Sequence, residues 1–246
     1  MKTDHSSLWH KKPISNRYSM RRIVCYFAAA ALFLFSSLTF AHGVDEQTRL
    51  FLQSNTGANF IPFMYIGAKH MITGYDHLLF LFGVIFFLFR TRDVLIYVSL
   101  FTLGHSTTLL LGVLMEVQLN AYLIDAIIAL SIVYKGFDNL GGFRRILGHS
   151  PNSKLVVFIF GLFHGFGLAT KLQEFQLPED GLLTNLLAFN VGVELGQFAA
   201  LAIIVIAISA WRRHDSFMRF ATVSNTLLMS AGFLLMALQL TSYFQS

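Results

Sequence analysis

Cysteine is almost missing from this sequence, with a single residue, Cys25, among 246. That excludes a disulfide framework and a thiolate metal centre, so any metal site must be built from nitrogen and oxygen donors. Charge is scarce too. Asp, Glu, Lys and Arg make up 13% of the chain against 55% hydrophobic residues, and the mean hydropathy is +0.61. A soluble domain does not need so apolar a composition, and no stretch is large and polar enough to form a separate soluble domain of ordinary size. The formal net charge of +5 is spread over short loops between apolar runs. It therefore reports membrane topology and not a nucleic-acid surface. There is no strong internal repeat and no low-complexity tract.

What the chain has instead is long apolar runs, and the first reads differently from the rest. "MRRIVCYFAAAALFLFSSLTFAHG", from Met20 to Gly43, combines a basic start, an apolar stretch of about a dozen residues and a small-residue end, which is the plan of a cleaved secretory signal. Cleavage is expected after Ala41, leaving a mature chain that begins outside the cytoplasm; the alternative is an uncleaved anchor helix. Cys25 precedes the apolar stretch, so a lipoprotein signal is excluded. The expected organisation is a tail and signal peptide over 1–41, a short external segment over 42–59 and a transmembrane domain over 60–246.

Six further apolar segments follow, near 74–90, 94–114, 121–138, 155–171, 183–211 and 222–243. About 20 residues of helix cross the hydrocarbon, so the expected fold is all-α and polytopic, with six crossings. Basic residues should gather in cytoplasmic loops. From an external start, the inner loops and their edges hold Arg90, Arg92, Lys135, Arg144, Arg145, Lys154, Arg212, Arg213 and Arg219, while the outer ones hold Glu116, Glu174, Glu179 and Asp180 against Lys171. This places both mature ends outside a bacterial inner membrane.

Within these apolar runs, ionisable residues recur at positions where each costs on the order of 2.5–3.5 kcal/mol on insertion scales. Asp76 and His77 open the first crossing, His105 lies mid-way along the second, Asp125 in the outer half of the third, His164 mid-way along the fourth, and Asn190, Glu194 and Gln197 along the fifth. The last three are spaced by four and three and share one helix face. Counted from the helix ends, most of the set falls in the outer half of the membrane or near mid-depth, so its members could meet. Histidine with carboxylate suits a borderline divalent ion such as nickel, cobalt, zinc or copper(II) better than magnesium or calcium.

His70 stands about 10 Å of rise before His77 in an unbroken helix, too far to share an ion easily. A break at Gly74 would relax this; otherwise His70 is an entrance ligand. Asp76 is read either as a ligand or as the partner that fixes a histidine tautomer, and Asp125 either as part of the polar set or as an interfacial pair. Ser106, Thr107 and Thr108 are read as bonding to their own helix backbone. The pairs Gly161/Gly165 and Gly192/Gly196 predict close packing of the fourth and fifth crossings.

Four motifs taken together, "HMITGYDHLLFLF", "FTLGHSTTL", "GLFHGFGLA" and "FNVGVELGQ", resemble the HupE/UreJ family of bacterial membrane proteins over roughly residues 60–243. The resemblance implies nickel or cobalt uptake, with partners in the maturation of metalloenzymes such as hydrogenase and urease. The family signature, a histidine, five residues, then Asp-His, falls here on His70, Asp76 and His77. The nickel permeases place a second His-Gly and a glutamate after Phe-His-Gly. Here Phe163, His164 and Gly165 are followed by "FGLATKL", and Glu194 of the next helix is expected to supply the carboxylate.

The expected metal set is therefore His70, Asp76, His77, His105, His164 and Glu194, supported by Asp125, Asn190 and Gln197. Three functions remain open: a divalent-metal permease, a zinc-type intramembrane hydrolase in which Asp76 or Glu194 activates a bound water, and an accessory protein for metal delivery or assembly. The apolar inner halves "GVIFFLF" and "AALAIIVIAI" favour the hydrolase; the resemblance favours the permease.

Overall fold

The computed structural model describes residues 57–174 and 180–246. The signal segment, Ala41 and most of 42–59 lie outside these. The described residues form helices joined by short turns: α1 (Phe60–Thr73), α2 (Tyr75–Ile85), α3 (Thr91–Leu114), α4 (Ala121–Asn139), α5 (Gly142–Leu147), α6 (Ser153–Glu174), α7 (Leu182–Trp211) and α8 (Ser216–Gln245). Among the described residues, α3, α6, α7 and α8 are each long and apolar enough to cross a membrane. The shorter α2 is apolar too, and the 19-residue α4 carries Asp125, Lys135 and Asp138. Large apolar side chains such as Leu103, Ile203, Ile206 and Met218 remain on the outside of the helices, where a lipid-facing surface needs them.

Local chemistry marks the helix ends. Asn120 caps α4 by accepting the Leu123 N–H at 3.1 Å, and Asn152 accepts the Lys154 N–H at the start of α6, each satisfying a donor that the first turn leaves open. At the far end of α2 the carbonyls of Ile85, Phe86 and Leu88 accept from the Arg212 guanidinium at 2.6, 2.7 and 2.8 Å. Arg212 follows α7 directly, so one side chain ties the ends of α2 and α7 together.

Three helix pairs build the bundle: α1 with α7, α3 with α6, and α4 with α8. Without a hydrophobic force between helices in lipid, close backbone approach over small residues has to supply the packing. A Cβ on Gly67 would strike the Phe189 carbonyl, and one on Gly192 the Met64 carbonyl. A Cβ on Gly161 or Gly165 would strike the carbonyl of Phe101 or His105. These contacts correct the expectation that Gly161/Gly165 and Gly192/Gly196 join the fourth and fifth crossings: the first pair faces α3, the second α1.

The register also gives direction. Met64 and Ala68 meet Gly192 and Gly196 in the same order, and Phe101, His105 and Gly112 meet Gly161, Gly165 and Ala169 in the same order, so both pairs are parallel. On α4 and α8, Gly136 meets Met229 while Ala129 meets Gly232, and that pair is antiparallel.

Helix α2 sits where these pairs meet. Phe80, Leu81 and Ile85 are each 1% exposed, and α2 packs on α4, α7 and α8. Its first turn is thereby held inside the bundle.

Candidate functional site

Gly74 separates α1 from α2 with an extended backbone, φ −72° and ψ 92°. Its N–H still donates to the His70 carbonyl at 2.8 Å, and its carbonyl already accepts from Leu78 at 3.1 Å. The break therefore changes direction without leaving either group unpaired. A straight helix would set His70 and His77 about 10 Å apart along its axis; here their ring centres are 5.4 Å apart. Glycine fits because a Cβ would stand 3.1 Å from the His70 carbonyl and His77 Nδ1 and 3.2 Å from Asp76 Oδ1.

His77 is the hub of a four-histidine group drawn from four helices. Its ring centre lies 5.4 Å from His70 on α1, 5.9 Å from His105 on α3 and 4.7 Å from His164 on α6, each nearly edge to face. His105 and His164 are 1% and 0% exposed. Asp76 Oδ1 accepts the His77 backbone N–H at 2.8 Å and stands 2.9 Å from His77 Nδ1. A neutral ring that donates from Nδ1 to a carboxylate keeps its lone pair on Nε2. This contact is the one that the tautomer-fixing role read for Asp76 requires.

The polar atoms inside the group have few partners. His70 Nε2, His77 Nε2, both nitrogens of His105 and His164 Nδ1 are buried and make no hydrogen bond within the protein. Each such atom costs about 1–3 kcal/mol, and native structures leave few of them. Phe101 and Phe80 close one side of the group, with ring centres 5.0 and 5.5 Å from His164 and 5.4 Å from each other.

Among the described residues, no three His, Cys, Asp or Glu side chains are arranged to hold a metal ion as they stand. The contacts are pairwise and share His77. Imidazoles sharing one tetrahedral ion at metal–nitrogen distances of about 2.0–2.1 Å have ring centres about 5 Å apart. The observed spacings, 4.7–5.9 Å, lie on either side of that value and are also those of edge-to-face ring packing.

The other expected residues make separate contacts. Asp125 pairs with Lys171 at 2.9 Å, linking α4 to α6. Gln197 donates to Thr102 Oγ1 at 2.8 Å, tying α7 to α3. Asn190 Oδ1 is buried without a hydrogen bond. Glu194 is half-buried on α7 and takes part in none of the ring or polar contacts that join the histidines. Thr107 and Thr108 donate to the carbonyls of Leu103 and Gly104 as expected, and Thr108 also reaches Leu162 on α6 at 2.7 Å. Ser106 does not follow them: its buried Oγ makes no hydrogen bond.

Helix α4 carries polar residues outside the expected set, among them Ser131, Asp138 and Asn139. Ser131 Oγ lies 3.3 Å from His164 Nε2. Lys135, expected at a loop edge, is buried one turn before the helix end and donates to Asp138 at 2.6 Å. Asn139 donates to the Gly83 carbonyl and to Asn225 Oδ1, both at 2.8 Å. Ser131, Lys135 and Asp138/Asn139 follow i, i+4 and i+7/i+8 spacing, so they form one stripe. That spacing was the available signal.

A family model described as HupE / UreJ protein matches residues 46–246. No curated protein and no solved structure matches the chain.

Proposed function

The chain belongs to the HupE/UreJ family, and from that premise we propose that it is a membrane permease for a divalent first-row transition metal ion of the nickel or cobalt type. The observation that carries this reading is the group of buried imidazole nitrogens, unbonded within the protein, around His77. Imidazole is a ligand for such ions, and an ionisable group inside a membrane bundle is a candidate functional site by default.

In this reading α1 and α2 together make one crossing, α4 another, and six crossings alternate from an external start. The directions of the helix pairs support it: with α1–α2 as one crossing, the first and fifth run parallel, as do the second and fourth, while the third and sixth run antiparallel. His70, at the break, receives the ion from outside. His77, His105 and His164 take it over by rotating towards one point, and Asp76 holds His77 with its Nε2 lone pair inward. Glu194 on α7 is a carboxylate that a shift of α7 could add. Imidazole ligands must be deprotonated to bind, so uptake should fall with acidity.

A zinc-type hydrolase is the second reading, and one observation favours it: Phe80 and Phe101 pack against His164 and close one side of the group. Radioactive nickel or cobalt uptake into sealed vesicles carrying the purified protein separates the two. The permease reading expects accumulation that His77→Ala abolishes; binding of metal without any accumulation in wild type rejects it in favour of the hydrolase.

A further inference from the structure

Ser131 on α4 is one of the few polar atoms that touch the histidine group from a helix contributing no histidine. It is 0% exposed. Its hydroxyl hydrogen is already committed, because Oγ lies 2.6 Å from the Ile128 carbonyl and a carbonyl can only accept. Towards His164 Nε2, 3.3 Å away, Ser131 Oγ therefore offers lone pairs alone. The proton of a neutral His164 ring then belongs on Nε2, and the lone pair falls on Nδ1, which is buried without a hydrogen bond.

We propose that Ser131 is a positioning residue that selects Nδ1 as the nitrogen His164 presents to the ion. The inference rests on the metal reading above for its purpose, but its geometry stands without it. His77 works in the opposite sense: Asp76 accepts a hydrogen bond from Nδ1–H, and the buried, unbonded Nε2 keeps the lone pair. Two neighbouring rings, 4.7 Å apart, thus present different nitrogens, each fixed from behind by a different kind of acceptor. Partners of this kind set ligand basicity and orientation, and their loss commonly costs 10–100-fold in metal affinity.

The arrangement has a physical reason. Nδ1 lies close to the backbone and Nε2 far from it, so a ring presenting Nδ1 brings its helix nearer to the ion. His164 is flanked by Gly161 and Gly165, which let α6 approach the carbonyls of Phe101 and His105 on α3. A close helix and a near nitrogen belong together.

The test is a histidine ¹⁵N spectrum of the full-length, chelator-treated protein in detergent, with His164 assigned by its loss in His164→Asn, followed by titration with cobalt(II) alone. Wild type should carry the His164 proton on Nε2. Ser131→Ala should give a mixed tautomer population and a 10–100-fold weaker cobalt affinity, while Ser131→Thr, which keeps the hydroxyl, should preserve both the tautomer and the cobalt spectrum. A wild-type proton on Nδ1 overturns the inference without any variant. So does Ser131→Ala with unchanged tautomer and unchanged affinity. If wild type binds no cobalt or other divalent ion, the metal reading fails by itself, and the wild-type tautomer still decides whether Ser131 fixes His164.

Discussion

At the scale of single residues, the histidine group is held by partners that differ in strength. Asp76 is a carboxylate 2.9 Å from His77 Nδ1, so Asp76→Asn keeps the shape and removes the charge. Its expected effect is a 10–100-fold loss of cobalt affinity with the melting temperature little changed, as isothermal titration beside a thermal melt would show. Acidity should act on the same atoms: protons compete for the imidazole lone pairs that the ion needs, so cobalt affinity should weaken as the pH is lowered. His77, His105 and His164 were legible in the sequence because each interrupts an apolar run, where an ionisable group must be explained. Ser131 was not, since a lone serine in a helix commonly bonds its own backbone, as this one also does to Ile128. Lys135 lies one turn before the end of α4, at the helix edge where the charge pattern put it; its buried partner Asp138 was not legible, because charge placement says nothing of pairing.

At the scale of elements, three joints hold the helices together. Gly74→Ala would set a Cβ 3.1 Å from His77 Nδ1, and the Asp76–His77 pair would have to yield; cobalt affinity should drop while stability falls by only about 1 kcal/mol. Gly165→Val is expected to be harsher, because its Cβ meets the backbone carbonyl of His105; separating α3 from α6 should cost on the order of 3 kcal/mol, read as a lowered melting temperature in detergent. Arg212→Met removes three hydrogen bonds to carbonyls at and just after the end of α2. Faster amide exchange over residues 86–90 should follow, with exchange elsewhere preserved. The break at Gly74 could be anticipated, because two histidines seven residues apart meet only if the helix bends. Which helix each glycine pair faces could not, because small-residue spacing says that a close neighbour exists and is silent on its identity.

At the scale of the whole molecule, the sequence made an all-helical membrane protein legible, since nothing else suits so many apolar runs with so little charge. The number of crossings is a finer matter: α2 is short and α4 carries three charged residues, so neither declares itself by composition. Single cysteines introduced by N120C and S150C into a Cys25→Ser background should be labelled by an impermeant reagent from opposite sides of intact cells. Labelling of both from one side would contradict the alternating arrangement. The claim on which the rest depends is that His77 gathers imidazoles from separate helices around one ion, and X-ray absorption of the purified protein loaded with cobalt(II) tests it most directly. The account predicts one ion per chain with at least three imidazole ligands in wild type, and a smaller imidazole count with at least tenfold weaker binding in a folded His77→Ala variant. An ion bound by oxygen alone, or held by His77→Ala with the same ligands and affinity as wild type, would contradict it.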